Sequence, residues 1–290
     1  MRSFSEYDPL AVTAIIFSIT GVVMFCSYPA FTAVALISGA LYYTVLCGRE
    51  KLKRHVWFGA LFAVLALANP LISHNGVTVL FVINNNPVTL EAFLYGINSA
   101  AMIVGALYWF SIFSKIMTSE KLLYITGVLS PKLSLVMSMA IRFVPMFRAQ
   151  AKKVSDAQKA MGLFREDNFI DDIRGYMRIF SILTTWALEN GITTADSMTA
   201  RGYGVGRRTH FSSFRMRKND ILLLAAGALL LGLCAAAALS LSFSFYPRLE
   251  ADTPDASGIA GIAAYAVLCM LPVIIETEAT LKWKYLQSKV

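Results

Sequence analysis

Residues Ile221 to Phe245 read ILLLAAGALLLGLCAAAALSLSFSF and contain no charged side chain. A helix that crosses a bilayer needs about 20 mainly apolar residues, because lipid offers no partner for an unsatisfied backbone N–H or C=O. This run meets that requirement outright. It sets the fold class as an all-α integral membrane protein.

Five more apolar runs lie on either side of it: Pro9 to Phe25, Ala30 to Cys47, Val56 to Ile72, Thr89 to Phe113, and Ile259 to Ile275. Ser27-Tyr28-Pro29 forms a tight turn between the first two, which are also compatible with a re-entrant pair. The first, third and sixth runs are short for a span. The expectation is therefore about six transmembrane helices, in three regions: spans one to four in residues 1–113, a polar region in 114–219, and spans five and six with a tail in 220–290. Composition agrees. The chain is 57% hydrophobic and 15% charged, and soluble domains carry nearer a quarter charged residues. No basic, apolar and small-residue sequence marks a cleaved signal peptide, so the first span is expected to be retained.

Charge fixes the expected orientation. Residues Lys115 to Lys218 hold 17 Lys and Arg against 8 Asp and Glu, while the rest of the chain holds 9 against 10. Such a basic block beside apolar spans reads as the cytoplasmic bias of membrane proteins, not as a nucleic-acid surface. Arg49, Lys51, Lys53 and Arg54 place the second loop inside. Residues Ser73 to Val88 carry no Lys or Arg and fall outside, as does Tyr246 to Gly258 with one Arg and three acids. Lys282, Lys284 and Lys289 put the tail inside. Both termini are expected in the cytoplasm. In the outer loop, the β-rich run Val77 to Ile83 followed by Asn84-Asn85-Asn86-Pro87 suggests a short hairpin or an extended rim.

The basic region is too long for a mere connection. Pro131 to Lys159 predicts a helix with Pro in its first turn. Its apolar stripe is Val136, Met139, Ala140, Phe143, Val144 and Phe147, opposite Arg142, Arg148, Lys152, Lys153, Asp156 and Lys159. Pro145 is expected to kink it. A linker, Leu163 to Asp172, carries Arg165, Glu166, Asp167, Asp171 and Asp172. A second helix is expected from Ile173 to Ala200, with Ile173, Met177, Phe180, Thr184 and Leu188 as its apolar face and Gly191 as a potential break.

Both helices end in similar tripeptides, Ala160-Met161-Gly162 and Ala200-Arg201-Gly202. Alanine lets a partner surface approach, the middle side chain projects at the helix end, and glycine stops the helix. Arginine can pair with a carboxylate by a forked, charge-assisted bond; methionine can only fill an apolar pocket. Alone, an Arg before a capping Gly is ordinary, since it complements the helix dipole.

The longer string Ala195-Asp196-Ser197-Met198-Thr199-Ala200-Arg201-Gly202-Tyr203-Gly204, with Arg142-Phe143-Val144-Pro145 and Asp156-Ala157-Gln158-Lys159-Ala160, resembles the transmembrane (T) component of energy-coupling factor (ECF) transporters, the EcfT/CbiQ-like family. The order of spans and polar helices matches that family over nearly the whole chain. The resemblance implies a scaffold subunit of an ECF-type ABC importer for vitamins or metal ions. Its two polar helices would be coupling helices that dock in grooves of two cytosolic ABC ATPase subunits, and its spans would hold a separate membrane S component that selects the substrate. Arg201 would pair with acidic residues of one ATPase, and Ala160-Met161-Gly162 would occupy the other. Met161 stands where that family usually has Arg, which implies unequal docking.

Other classes fit less well. Gly202-Tyr203-Gly204-Val205-Gly206-Arg207 lacks the P-loop lysine and follows no strand. His55, His74 and His210 are scattered, Asp171-Asp172 reads as an acidic helix start, and no catalytic or metal-binding grouping appears. The expectation is a non-enzyme without cofactor, metal or nucleic-acid partner. The four cysteines read as small buried hydrophobes. The main alternative is a secondary transporter or channel with a cytoplasmic helical regulatory region. That reading needs ionisable groups at mid-membrane. Here Glu91, Asp220 and Glu276 lie at span ends, and Asn98 and Asn69-Pro70 read as helix contacts or kinks.

Overall fold

The computed structural model describes residues 3–47, 51–72, 76–83, 86–162, 169–206, 214, 216–241, 243–246, 249–251 and 255–287. Arg49, His74, Asn84, Asn85, Arg165, Glu166, Asp167, Arg207, His210 and Lys289 lie outside the described residues. The helices are α1 (Pro9–Phe25), α2 (Pro29–Leu46), α3 (Lys51–Ile72), α4 (Leu90–Ile116), α5 (Ser119–Leu129), α6 (Pro131–Ala160), α7 (Phe169–Ala200), α8 (Lys218–Ser240) and α9 (Ala256–Gln287). Strands β1 (Val79–Ile83) and β2 (Asn86–Thr89) form an antiparallel hairpin, and β3 (Phe243–Ser244) pairs with β4 (Glu250–Ala251). Two compact units result, Met1–Leu122 with Phe214–Val290, and Leu123–Ser213.

The first unit is the membrane body. Five helices, α2, α3, α4, α8 and α9, are long and apolar enough to cross a bilayer. Helix α1 is equally apolar but has only 17 residues. It begins where the sequence demands, because Asp8 caps the N–H of Leu10 at 2.9 Å and Pro9 takes the first turn. Helix α3 starts at Lys51, before the apolar run, because its basic first turn has no residue that opposes helix.

In lipid, helices associate through close packing and buried hydrogen bonds, not through a hydrophobic drive. Both are visible. Trp109 is fully buried and donates its indole N–H to the carbonyl of Ala35 at 3.2 Å, joining α4 to α2. Tyr265 of α9 donates to the carbonyl of Ile19 in α1 at 3.1 Å. The buried Thr32 hydroxyl donates to Asn98 Oδ1 at 2.6 Å, and Asn98 Nδ2 donates to the carbonyl of Ser27 at 3.0 Å. Asn69 donates to the carbonyl of Ala92 at 3.0 Å, tying α3 to α4 beside Pro70. Asn98 and Asn69 are thus committed to helix contacts. The thiols of Cys26, Cys47, Cys234 and Cys269 are free, and the last three are buried.

Helix α5 follows α4 after a two-residue break. Its Lys121 is buried and donates to the carbonyls of Ser5 and Ile116. Burial pulls its ammonium below the usual lysine pKa.

The second unit is built on α6 and α7. Phe147 of α6 meets Trp186 of α7 edge to face, with ring centroids 5.6 Å apart, and Phe143 stacks on Phe147. Helix α6 continues through Pro145 to Ala160. Gly191 does not break α7, which runs unbroken to Ala200 and starts at Phe169, within the expected linker. A glycine in mid-helix costs about 1 kcal/mol, too little to end a 32-residue element.

Candidate docking site

The ends of α6 and α7 share one construction. At the end of α7, Arg201 is the last residue before the chain turns. Gly202 then takes φ +80°, its N–H bonds the carbonyl of Thr199 at 2.9 Å, and the N–H of Tyr203 bonds the carbonyl of Met198 at 3.0 Å. These are the two bonds of a Schellman cap, which satisfies carbonyls the helix would leave open. At the end of α6, Met161 holds the equivalent place and Gly162 follows with φ +67°, its N–H bonding the carbonyl of Lys159 at 3.0 Å. Among the described residues nothing lies within 4 Å of where a Cβ would stand on Gly162 or Gly202. Conformation, not crowding, therefore calls for glycine at both.

The consequence is exposure of the middle residue. Met161 is 65% exposed, and Arg201 and Ala200 are exposed too. Arg201 has no ion-pair partner among the described residues. Ala160 and Gly162 leave the Met161 tip equally uncovered. Each tip therefore presents one side chain on a short neck of small residues: a cation on one, an adaptable apolar side chain on the other.

The expected apolar face of α7 lies elsewhere than against α6. Met177, Phe180 and Leu188 are 62%, 65% and 64% exposed, and Ile173 is also exposed. Contact with α6 includes Trp186 instead, which meets Phe147. On α6, Val136, Ala140 and Val144 of the expected stripe are exposed, while Met139, Phe143 and Phe147 are half-buried.

Sequence reasoning missed one feature. Arg142 of α6 and Arg201 of α7 line the same cleft, about 400 Å³ in volume. Its α7 wall is Asn190, Thr193, Thr194 and Ser197. These recur at three- and four-residue steps ending at Arg201, a polar stripe that the search for apolar stripes passed over.

The fold, with five helices long and apolar enough to cross a bilayer, defines a multi-pass helical membrane protein. The family profile of the CbiQ cobalt transport proteins matches residues 3–211, and the chain belongs to that family. Relatives include the energy-coupling factor transporter transmembrane protein EcfT of Listeria innocua, 35% identical over 104 residues, which are 35% of this chain and 39% of that one. EcfT of Thermotoga maritima is 36% identical over 104 residues, 34% of this chain and 38% of its own. EcfT of Lactobacillus helveticus is 33% identical over 104 residues, 35% of this chain and 38% of its own. The alignments thus span about two fifths of these relatives' length.

Proposed function

We propose that this chain is the transmembrane scaffold of an ECF-type importer, a non-enzymatic part that turns the closure of cytosolic ATPase subunits into movement of a separate membrane S component. One observation carries the reading: Met161 and Arg201 are each exposed at the end of a long helix, directly before a glycine of positive φ whose N–H caps that helix. A helix whose tip is gripped by a moving partner transmits that movement as tilt, because a helix is stiff along its length. In this reading each tip docks on one of two ATPase subunits. Arg201 enters an acidic groove and Met161 an apolar one, so the two anchors differ in chemistry.

The orientation follows from charge. In this reading the tips face the side where ATP is hydrolysed, and the basic block from Lys115 to Lys218 supports that orientation, with both termini cytoplasmic. Family membership supports the transport role. The test is mass spectrometry of the complex that a tagged full chain draws from its own membranes. The reading expects ABC-type ATPase subunits and a small multi-pass membrane protein in stable ratio. A chain that purifies alone, with transport activity after reconstitution, contradicts it.

A further inference from the structure

The geometry points to the α6–α7 cleft as the receptor for an acidic peptide segment of the partner, gripped by Arg142 and Arg201 together. The inference rests on the docking role proposed for Arg201 and extends it from a helix tip to a two-walled site.

Three observations lead there. The first is charge. Two guanidinium groups, one from each helix, line one cleft of about 400 Å³, and no Asp or Glu among the described residues lines it with them. Neither has an ion-pair partner among the described residues. Two uncompensated cations in one concavity repel each other and raise the local concentration of anions. A carboxylate between them removes the repulsion and gains a charge-assisted bond to each.

The second is the hydrogen-bonding sense of the α7 wall. Thr193, Thr194 and Ser197 donate their hydroxyl hydrogens to the carbonyls of Glu189, Asn190 and Thr193, at 2.9, 2.6 and 2.8 Å. Asn190 Nδ2 donates to the carbonyl of Trp186 at 2.9 Å. The wall has spent most of its hydrogens on its own helix and faces the cleft with oxygen lone pairs. A phosphate or a lipid headgroup phosphate is rich in acceptors and poor in donors, so it would meet lone pairs with lone pairs. A peptide carrying Asp or Glu brings both complements, a carboxylate for the arginines and backbone N–H groups for the hydroxyl oxygens. That pattern favours peptide over phosphate.

The third is continuity. Arg201 belongs both to the cleft and to the exposed cap of α7. A segment that reaches Arg201 from the tip is therefore already at the mouth of the cleft. Met139 and Met198 lie in the same lining, apolar surface that adapts to the aliphatic part of an incoming side chain. An acidic segment seated there would bond mid-α6 to the end of α7, and a pull on it would load both helices at once.

The experiment is a double-mutant cycle on the full chain in nanodiscs, reading retention of the purified ATPase subunits that accompany it. Arg142→Ala and Arg201→Ala should each weaken retention about tenfold or more. The double variant should be within about threefold of the worse single one, because both arginines hold one element. Arg142→Lys should restore part of the loss, and an acetylated, amidated hexaglutamate peptide should compete where inorganic phosphate at equal charge does not. Both arginines are exposed, so neither change threatens folding. If Arg201→Ala loses the subunits and Arg142→Ala keeps them, the cleft is not the receptor while the docking tip stands. If neither changes retention, both readings fall. Strictly additive losses place the arginines in separate contacts and overturn the shared segment. Competition by phosphate, or a loss confined to binding phosphatidylglycerol vesicles, makes the cleft a phosphate or headgroup site and overturns the peptide.

Discussion

Met161 and Arg201 occupy the same backbone station at the ends of two different helices. Each is followed by a glycine with positive φ, +67° and +80°, and each is exposed. The likeness is in the main chain and the difference is in chemistry, so substitutions at the two tips should separate by type of partner surface.

At Met161, an apolar groove tolerates shape changes better than charge. Met161→Leu should leave ATPase retention within about threefold, a change of under about 1 kcal/mol. Met161→Asp should weaken it by tenfold or more, since an unpaired carboxylate would be desolvated. Retention by co-purification reads both. Unchanged retention in Met161→Asp would show this tip to be free of the interface.

Gly191 within α7 and Gly202 in its cap should respond in opposite directions to alanine. Gly202→Ala forces a side chain into the left-handed region, at about 1–2 kcal/mol, and should fray the cap. Gly191 lies in helical conformation with no neighbour among the described residues where a Cβ would stand, so Gly191→Ala should stabilise α7 by up to about 1 kcal/mol. Hydrogen exchange of residues 186–203 in the full chain measures both. Slower exchange in Gly202→Ala would contradict the cap assignment.

Asn98 separates a scaffold from a secondary transporter. Its side chain bonds Thr32 and the carbonyl of Ser27, both within the membrane body. Asn98→Ala should lower thermal stability in detergent by about 0.6–1.7 kcal/mol for each bond lost, while leaving substrate selection unchanged. A changed substrate preference in the reconstituted complex would make Asn98 a site residue and favour the alternative.

Much of this architecture was legible because the bilayer imposes a simple rule. The apolar run Pro9 to Phe25 coincides with α1, since a proline opens the helix and apolar residues fill it. The hairpin was readable from its alternation of β-formers with an Asn/Pro turn. Helix α7 was harder. Gly191 looked like a break, but one glycine costs too little to interrupt so long a helix. Its periodicity marks Ile173, Met177, Phe180, Thr184 and Leu188 as one apolar face, yet Met177, Phe180 and Leu188 are exposed. Periodicity tells which residues share a face, not what covers that face. Helix α5 has a short, mixed pattern and gave no clear signal. The pairing of Arg142 with Arg201 depends on how two helices cross, which no spacing within one helix encodes.

The most direct measurement is retention of the ATPase subunits and substrate uptake by Arg201→Ala in the reconstituted complex, beside Arg201→Lys. Arg201 is exposed, so the variant should fold and insert normally. The account predicts that Arg201→Ala loses at least tenfold in retention and abolishes uptake, with Lys, which keeps the charge but not the fork, in between. Full retention and full uptake in Arg201→Ala would contradict the docking role on which the account rests.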